Sequence, residues 1–276
     1  MKRNILNHTI LTSMILFVIM IIVHGFEAIV LRMDETVFAE NFINKLFGIV
    51  TFLAVLRILG RKLKDIGFTK SGTVKNIFLG FGIGALAFAV AYTVEIIILH
   101  AQGKSVSFGF FTTGFSLTGE AVINSGIGAI LMCIFFNIIN VIMEEGTFRG
   151  LFYELVKTNH SAKCACLIQA VLFGVWHMVT PLHNLIDGDI SFGTFLVLTI
   201  GYIILAGMMG VKWNLLKNMT GSLYAGMADH FFNNCIATNL LHVVTSTGID
   251  EMMLVRVLIA QLISFIGVMI VWKKTS

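Results

Sequence analysis

Stretches of about 20 apolar residues recur along the whole of this 276-residue chain, and no other feature constrains its fold as strongly. A stretch of this length crosses the hydrocarbon core of a bilayer as a helix, because a helix satisfies its backbone hydrogen bonds internally. Strands of a transmembrane barrel would instead alternate apolar and polar residues. Only 12% of the residues are charged, against about 25% in a typical soluble domain. The sequence therefore predicts an all-α, polytopic membrane protein.

The hydropathy pattern predicts about eight transmembrane helices in a single integral membrane domain, residues 1–276. The expected spans are residues 9–31, 42–59, 77–99, 121–143, 163–182, 191–211, 221–245 and 252–272. No Pro-rich linker or low-complexity tract divides the chain, and Pro181 is its one proline. The motifs that carry chemistry lie in a core at about residues 121–245.

The distribution of lysine and arginine predicts the orientation, because basic residues accumulate in cytoplasmic loops. One side of the membrane holds Lys2, Arg3, Arg57, Arg61, Lys62, Lys64, Lys70, Lys75, Arg149, Lys157, Lys163, Lys212, Lys217, Lys273 and Lys274. The other side holds Arg32, Lys45, Lys104 and Arg256. We therefore expect both termini in the cytoplasm and membrane lipid as a partner. The net charge of +4 follows from this topology and implies no nucleic-acid partner.

Several polar residues inside the spans are expected to have structural roles. Those near a bilayer surface can reach the interface, and deeper ones can pair with a neighbouring helix. This interpretation applies to His24, Glu27, Glu95 and His100, and to Asn137 and Asn140 as interhelical hydrogen-bonding residues.

Three short motifs place charged and polar side chains inside the spans, where a charge costs roughly 2.5 to 3.5 kcal/mol to insert. They are Glu144, Glu145 and Arg149 in "EEGTFR", Phe173 and His177 in "FGVWH", and His230 and Asn234 in "HFFNN". Residues four apart lie on one face of a helix, so Glu145 and Arg149 can neutralise each other. Glu144 is turned about 100° away and has no obvious cation.

Counting residues from the predicted cytoplasmic lysines places the three motifs at one depth in the membrane. The separations are 13 residues from Glu144 to Lys157 if the helix continues that far, 14 from His177 to Lys163, and 13 from His230 to Lys217. At about 1.5 Å per residue, each group lies roughly 20 Å from its lysine. A glutamate, two histidines and an asparagine in one intramembrane layer indicate chemistry, ion handling or both.

These residue types suit the hydrolysis of an amide. A buried carboxylate without a cation, Glu144, is a candidate general base. A histidine opposite it can orient a water, and the second histidine and Asn234 can donate to a developing oxyanion. Two structural alternatives stay open: "EEGTFR" as a helix end with a solvated ion pair, and each histidine as a buried neutral ring bonded to a carbonyl.

In this order, the motifs resemble those of the CAAX prenyl protease type II and bacteriocin-processing family of intramembrane endopeptidases, also called the CPBP or Abi family. The pattern of that family is EExxxR, then FxxxH, then HxxxN or HxxxD, and the resemblance covers about residues 121–245. It implies an eight-helix core in which Glu144 and His177 activate water. His230 and Asn234 would stabilise the oxyanion, with Glu145, Arg149 and Phe173 in support.

The cofactor is not determined by the motifs. The family has been described as metalloproteases, and Glu144, His177 and His230 would then be the zinc ligands by residue type. The sequence contains no H-E-x-x-H motif, the usual zinc motif on a helix. We favour a glutamate-activated water without a metal.

The resemblance implies a peptide substrate, either a membrane-associated peptide or a lipidated C-terminal CAAX-like protein. Compact length and short loops favour a member from the bacterial cell membrane, with roles such as bacteriocin or signal-peptide maturation or self-immunity. Two other interpretations stay open. The intramembrane Glu and His cluster also suits a proton- or ion-coupled transporter, and a non-catalytic immunity protein can share the fold.

Overall fold

The computed structural model describes residues 2–36, 41–113 and 123–275. The protein is nearly all-α, and the chain divides into two compact units. The first unit consists of Met1–Thr73 and Ile139–Leu223, and the second consists of Val74–Ile138 and Tyr224–Ser276. A single integral membrane domain spanning residues 1–276 stays a prediction.

The helices follow one another along the chain with short connections. They are α1 (Lys2–Asn7), α2 (Thr9–Phe26), α3 (Ile43–Leu59), α4 (Thr73–Ala101), α5 (Ile127–Glu144), α6 (Tyr153–Val156), α7 (Ala162–Trp176), α8 (Val179–Ile186), α9 (Phe192–Thr220), α10 (Tyr224–Phe231) and α11 (Met253–Thr275). Segments of π-helix continue α2, α5 and α10, and they are Glu27–Leu31, Glu145–Phe152 and Phe232–Thr238. Short 3-10 helices cover Met33–Glu35 and Leu63–Ile66.

Six helical stretches within the described residues are long and apolar enough to cross a membrane. They are Thr9–Leu31, Thr73–Ala101, Ile127–Val156, Ala162–Ile186, Phe192–Thr220 and Met253–Thr275. Each one coincides with a predicted span, and together they confirm an integral, multi-pass membrane protein. The fourth span is longer than the hydropathy pattern predicts, because helix continues past the apolar run to Val156. Residues 121 and 122, where that pattern begins, lie outside the described residues.

Shorter helices occupy the other two predicted spans. Residues 42–59 hold α3, which has 17 residues and is therefore about 26 Å long. Residues 221–245 hold α10 and its π-helical continuation, which ends at Thr238. The prediction of helix through residue 245 is wrong, because the β-branched run Leu241–Thr245 forms strand β4. A total of eight spans and the cytoplasmic termini stay predictions.

Strand β4 pairs with strand β1 (Val106–Phe110) in an antiparallel ribbon of the second unit. Strands β2 (Thr112–Thr113) and β3 (Ile123–Asn124) form a second, shorter pair. The Tyr92 hydroxyl of α4 donates to the carbonyl of Leu241 at 2.7 Å. The ribbon is therefore joined to a membrane-spanning helix at the point where β4 begins.

A buried charge network joins the helices of the second unit to this ribbon. Arg256 Nη1 donates to Glu95 Oε2 at 2.8 Å, and Arg256 Nη2 donates to Asp250 Oδ1 at 2.9 Å. The His242 ring lies 2.6 Å from Asp250 Oδ2 through Nδ1 and 2.9 Å from the Phe111 carbonyl through Nε2. The structural role predicted for Glu95, pairing with a neighbouring helix, is therefore confirmed.

Glu27 has a structural role in the first unit, as predicted, because it caps the start of α3. Its carboxylate accepts hydrogen bonds from the backbone N–H of Ile43 at 2.7 Å and of Asn44 at 2.6 Å. The Asn44 side chain donates to it at 2.8 Å. The first N–H groups of a helix have no partner within the helix, and a carboxylate there also suits the helix dipole. The position of the first turn of α3 is thereby determined.

The core of the first unit is aromatic and contains residues of the first two motifs. Phe148 packs edge-on against Phe152, Phe173 and Trp176, with ring centroids 5.5, 5.1 and 6.0 Å away. All four side chains are buried. The motif helices therefore meet through large, rigid rings, which leave few alternative packings.

Candidate active site

The first motif begins with a fully buried ion pair. Arg149 Nη1 lies 3.4 Å from Glu145 Oε1, and both side chains are inaccessible to solvent. The Arg149 guanidinium also lies over the rings of Phe173 and Trp213, 3.7 and 4.8 Å from their centroids. The predicted pairing is confirmed, and the alternative of a solvated ion pair is wrong. The contact with Arg149 also explains the phenylalanine of the second motif.

Glu144 is buried and has a cation, contrary to the prediction. Lys45 Nζ lies 3.1 Å from Glu144 Oε1, and Trp176 Nε1 donates to the same oxygen at 3.2 Å. The charge distribution counts Lys45 among the outer residues, but it is the third residue of α3 and its side chain is 14% exposed. The sequence spacing of 99 residues gave no signal of this contact.

His177 follows α7 directly and is held by that helix. Its Nδ1 lies 2.8 Å from the Phe173 carbonyl oxygen, and because a carbonyl can only accept, Nδ1 carries a proton. In the neutral ring, Nε2 is then the acceptor. This is the hydrogen bond that the structural alternative expects. The same bond sets the tautomer that a water-orienting histidine requires.

The first two motifs meet at Glu144. Trp176, which donates to Glu144, immediately precedes His177 in the chain. The His24 ring of α2 stacks on the Trp176 indole, with centroids 4.3 Å apart and planes at 28°. His24, which the sequence assigns a structural role, is therefore part of the surroundings of this site, as are Lys45 and Trp176.

The third motif lies in the second unit and is ordered by a chain of side-chain amides. Gln261 Nε2 donates to Asn233 Oδ1 at 2.9 Å, and Asn233 Nδ2 donates to Asn234 Oδ1 at 2.6 Å. The Asn234 amide nitrogen, which can only donate, lies 3.1 Å from His230 Nε2. His230 Nε2 is therefore the acceptor, and the ring proton is on Nδ1. Asn233 and Gln261 were not predicted, since neither belongs to a motif.

The depth counts are correct for two motifs and wrong for the third. Helix is continuous from Glu144 through Val156, and α7 runs from Ala162 to Trp176. His230, however, lies only six residues into α10, about 9 Å from its start. Lys217 belongs to α9, which ends at Thr220, and it is buried against the Arg149 carbonyl and Glu154 at 2.7 Å each.

The surroundings of Glu144 favour a reaction without a metal ion at this carboxylate. An ammonium group 3.1 Å from Oε1 repels a second cation at the same oxygen. Among the described residues, a group of side chains close enough together to share a metal ion is Glu35, His183 and Asp187, none of which belongs to a motif. Arg32 already pairs with both carboxylates of that group.

Comparison with protein families matches residues 126–236 to the family described as type II CAAX prenyl endopeptidase Rce1-like. The matched range contains all three motifs, from Glu144 to Asn234. The resemblance drawn from those motifs is therefore confirmed. Comparisons with curated proteins and with solved structures give no match.

Proposed function

We propose that this chain, which belongs to the type II CAAX prenyl endopeptidase family through residues 126–236, hydrolyses a peptide bond with a water molecule that Glu144 activates. The observation that carries the proposal is the buried carboxylate of Glu144, which is 3% exposed and is oriented by two donors on one oxygen. Trp176, one of these donors, adjoins His177 in the chain. A general base must be held in this way to take a proton in the reaction.

In the proposed reaction, a water proton passes to Glu144 while the water oxygen attacks the carbonyl carbon of the peptide. His177 orients the same water through Nε2, the acceptor of its neutral ring. The bond from Nδ1 to the Phe173 carbonyl supports this role because it prevents the opposite tautomer. Glu144 then returns the proton to the leaving nitrogen, the C–N bond breaks, and the carboxylate is restored.

His230 and Asn234 are proposed to stabilise the oxyanion that forms on the carbonyl oxygen. His230 has its proton on Nδ1, and the Asn234 amide has a second N–H besides the one directed at His230. Preorganised donors of this kind contribute roughly 10²- to 10³-fold each to the rate. The resemblance supports the assignment, since the third motif serves the same reaction in that family.

The proposed substrate is a peptide associated with the membrane, or a protein with a lipidated CAAX-like C-terminus. The description of the matched family names a CAAX prenyl endopeptidase. The apolar, membrane-spanning helices suit a substrate that arrives through the lipid. Bacteriocin or signal-peptide maturation, or self-immunity, in a bacterial membrane is the role we favour.

Cleavage by purified protein in lipid tests the proposal. Wild type, Glu144→Gln and Glu251→Gln are incubated with membrane-associated peptides with and without a prenylated C-terminus, in the presence and absence of a chelator. Glu251 is the matched control because it is exposed and forms an ion pair with Lys104 in the second unit. Loss of cleavage by about 10²- to 10⁴-fold in Glu144→Gln alone is expected, with no effect of the chelator.

Equal cleavage by wild type and Glu144→Gln would overturn the assignment of the base. Cleavage that the chelator abolishes would overturn the metal-free reaction. If wild type cleaves none of the peptides but carries a proton flux that Glu144→Gln abolishes, the transporter interpretation replaces the protease.

A further inference from the structure

We infer that Lys45 is a positioning residue for the proposed reaction: together with the Trp176 indole, its ammonium group holds Glu144 as an oriented, charged carboxylate. The inference rests on the proposed function and adds a residue from outside the three motifs. Lys45 lies about 100 residues before Glu144 and outside the range that matches the family.

The contact is built into the first unit rather than formed by two flexible surface chains. Lys45 lies in the first turn of α3, and Glu27 determines where that turn begins through its bonds to Ile43 and Asn44. The side chain of Lys45 is 14% exposed and that of Glu144 is 3% exposed. The Lys45 ammonium also lies 5.4 Å from the centroid of the Trp176 ring.

Two donors converge on one carboxylate oxygen. Lys45 Nζ at 3.1 Å and Trp176 Nε1 at 3.2 Å both approach Oε1 of Glu144. A pair of bonds to one oxygen restricts rotation of the carboxylate about its last bond, so the plane of the group is defined. The stack of His24 on the indole limits the movement of Trp176 in turn.

The charge of Lys45 also bears on whether Glu144 can act as a base. A carboxyl group taken out of water prefers its neutral form, and a neutral carboxylic acid cannot accept a proton from water. A cation within about 4 Å favours the charged form instead. Lys45 therefore supplies what burial removes, and Glu144 keeps the ionised state that the reaction needs.

Other ionisable groups face Glu144 from each of the neighbouring helices. His24 lies on α2, His177 follows α7, and the Glu145 and Arg149 pair lies on the helix of Glu144 itself. Arg149 is already engaged by Glu145, and the His177 ring is bonded to a carbonyl. Lys45 is thus the lysine that pairs directly with Glu144.

The test separates the charge of Lys45 from its packing. Lys45→Met removes the charge and keeps the chain length, whereas Lys45→Arg keeps the charge. The ionisation of Glu144 is read at each pH by infrared difference spectroscopy, in which each protein is compared with the same protein carrying Glu144→Gln. This readout needs no substrate. Cleavage of a peptide that wild type cuts is measured over the same pH range.

We expect Glu144 to be a carboxylate at neutral pH in wild type and in Lys45→Arg, and a carboxylic acid in Lys45→Met. The acid limb of the cleavage profile should move to higher pH by about 1 to 3 units in Lys45→Met, with activity recovered above it. A purely structural role would lower kcat equally at every pH. Trp176→Phe keeps the stack on His24 and removes one donor, so a smaller shift in the same direction is expected.

An unchanged infrared signal and an unchanged acid limb in both Lys45→Met and Trp176→Phe would overturn the inference. If Lys45→Met does not fold, the result for Trp176→Phe decides alone. Absence of cleavage by wild type with the expected infrared change would count against the proposed function and leave the hold of Lys45 on Glu144 established.

Discussion

Arg149 is the residue whose environment is most completely built around a charge. Glu145 lies 3.4 Å from its guanidinium, which is sandwiched by the rings of Phe173 and Trp213. Its peptide carbonyl accepts a hydrogen bond from the buried Lys217 ammonium at 2.7 Å. The residue therefore links the first motif, the second motif and α9.

Removal of the Arg149 charge should destabilise the protein. Arg149→Met leaves Glu145 buried without its cation, and breaking a buried ion pair in this way costs about 3 to 5 kcal/mol. We expect a lower yield of folded protein and a lower melting temperature in detergent. Arg57→Met, at an exposed position on α3, is the matched control. A melting temperature that is the same for both variants would contradict the account of this pair.

The sequence predicts contacts at this scale only where the partners share a helix. Glu145 and Arg149 are four residues apart, so their pairing follows from helix geometry alone. Lys45 and Trp176 meet Glu144 through tertiary packing, across 99 and 32 residues. No periodicity carries that information, which is why Glu144 was expected to lack a cation.

Close helix packing at small residues is decisive at the scale of the element. A Cβ added at Gly80 of α4 would lie 2.1 Å from the Ala225 carbonyl oxygen and 2.8 Å from the Cβ of Ala228. Both partners belong to α10, the helix that carries His230. A Cβ at Gly82, on the same helix, would meet nothing within 4 Å.

Gly80→Ala should therefore displace α10 from α4 and destabilise the second unit. Overpacking costs typically about 1 to 3 kcal/mol, and the clash here is with backbone, which yields little. Gly82→Ala should be neutral or slightly stabilising, because alanine is the better helix former. Thermal unfolding of the two variants in lipid checks this difference. Equal melting temperatures would show that α4 and α10 do not approach as closely as described.

Asp250, in the turn between β4 and α11, makes the ribbon sensitive to acid. Burial alone would raise the pKa of Asp250, but the hydrogen bond with His242, the charge of Arg256 and the Val243 N–H together lower it. A carboxyl group with a lowered pKa contributes stability above its unfolded pKa of about 3.9. That stability is lost as the pH falls through the lower, folded value.

Hydrogen exchange of the β4 amides should therefore accelerate as the pH falls below about 4, after correction for the intrinsic rate. Asp250→Asn should show the faster exchange at neutral pH and lose this pH dependence. The control is Glu251→Gln, since Lys104 lowers the pKa of the exposed Glu251 to about 2 but solvent screens the pair. Exchange in Asp250→Asn that matches wild type at neutral pH would contradict the role of the network.

Element boundaries are predicted well where composition is uniform and poorly where it changes. The run "LHVVT" continues the apolar character of the preceding helix, so hydropathy extends a span through it. Its β-branched residues pair instead with β1, a partner more than 130 residues earlier. The π-helical turn Glu145–Phe152, placed at the first motif, has no signal in a 3.6-residue period.

At the scale of the whole molecule, each compact unit carries part of the motif set. The first unit contains Glu144, Glu145, Arg149, Phe173 and His177, and the second contains His230 and Asn234. The membrane class and the all-α fold follow from composition alone, since the apolar stretches leave no other spanning structure. The number of spans is harder to predict, because α3 and α10 are apolar but shorter than about 20 residues.

The predicted orientation can be measured with a single cysteine. Lys70 is exposed between α3 and α4, in the most basic connection of the chain. In a variant with the four native cysteines replaced, Lys70→Cys should react only with reagents that reach the cytoplasm. Labelling by an impermeant reagent from outside intact cells would reverse the topology.

The central claim, that Glu144 and His177 act on one water molecule, is tested most directly by the cleavage rates of wild type, Glu144→Gln, His177→Ala and the double variant. Residues that act as a unit are strongly non-additive. The account predicts that each single variant loses about 10²- to 10⁴-fold in kcat and that the double variant is no slower than the slower single one. Wild-type cleavage by either single variant, or losses that multiply in the double variant, would contradict it.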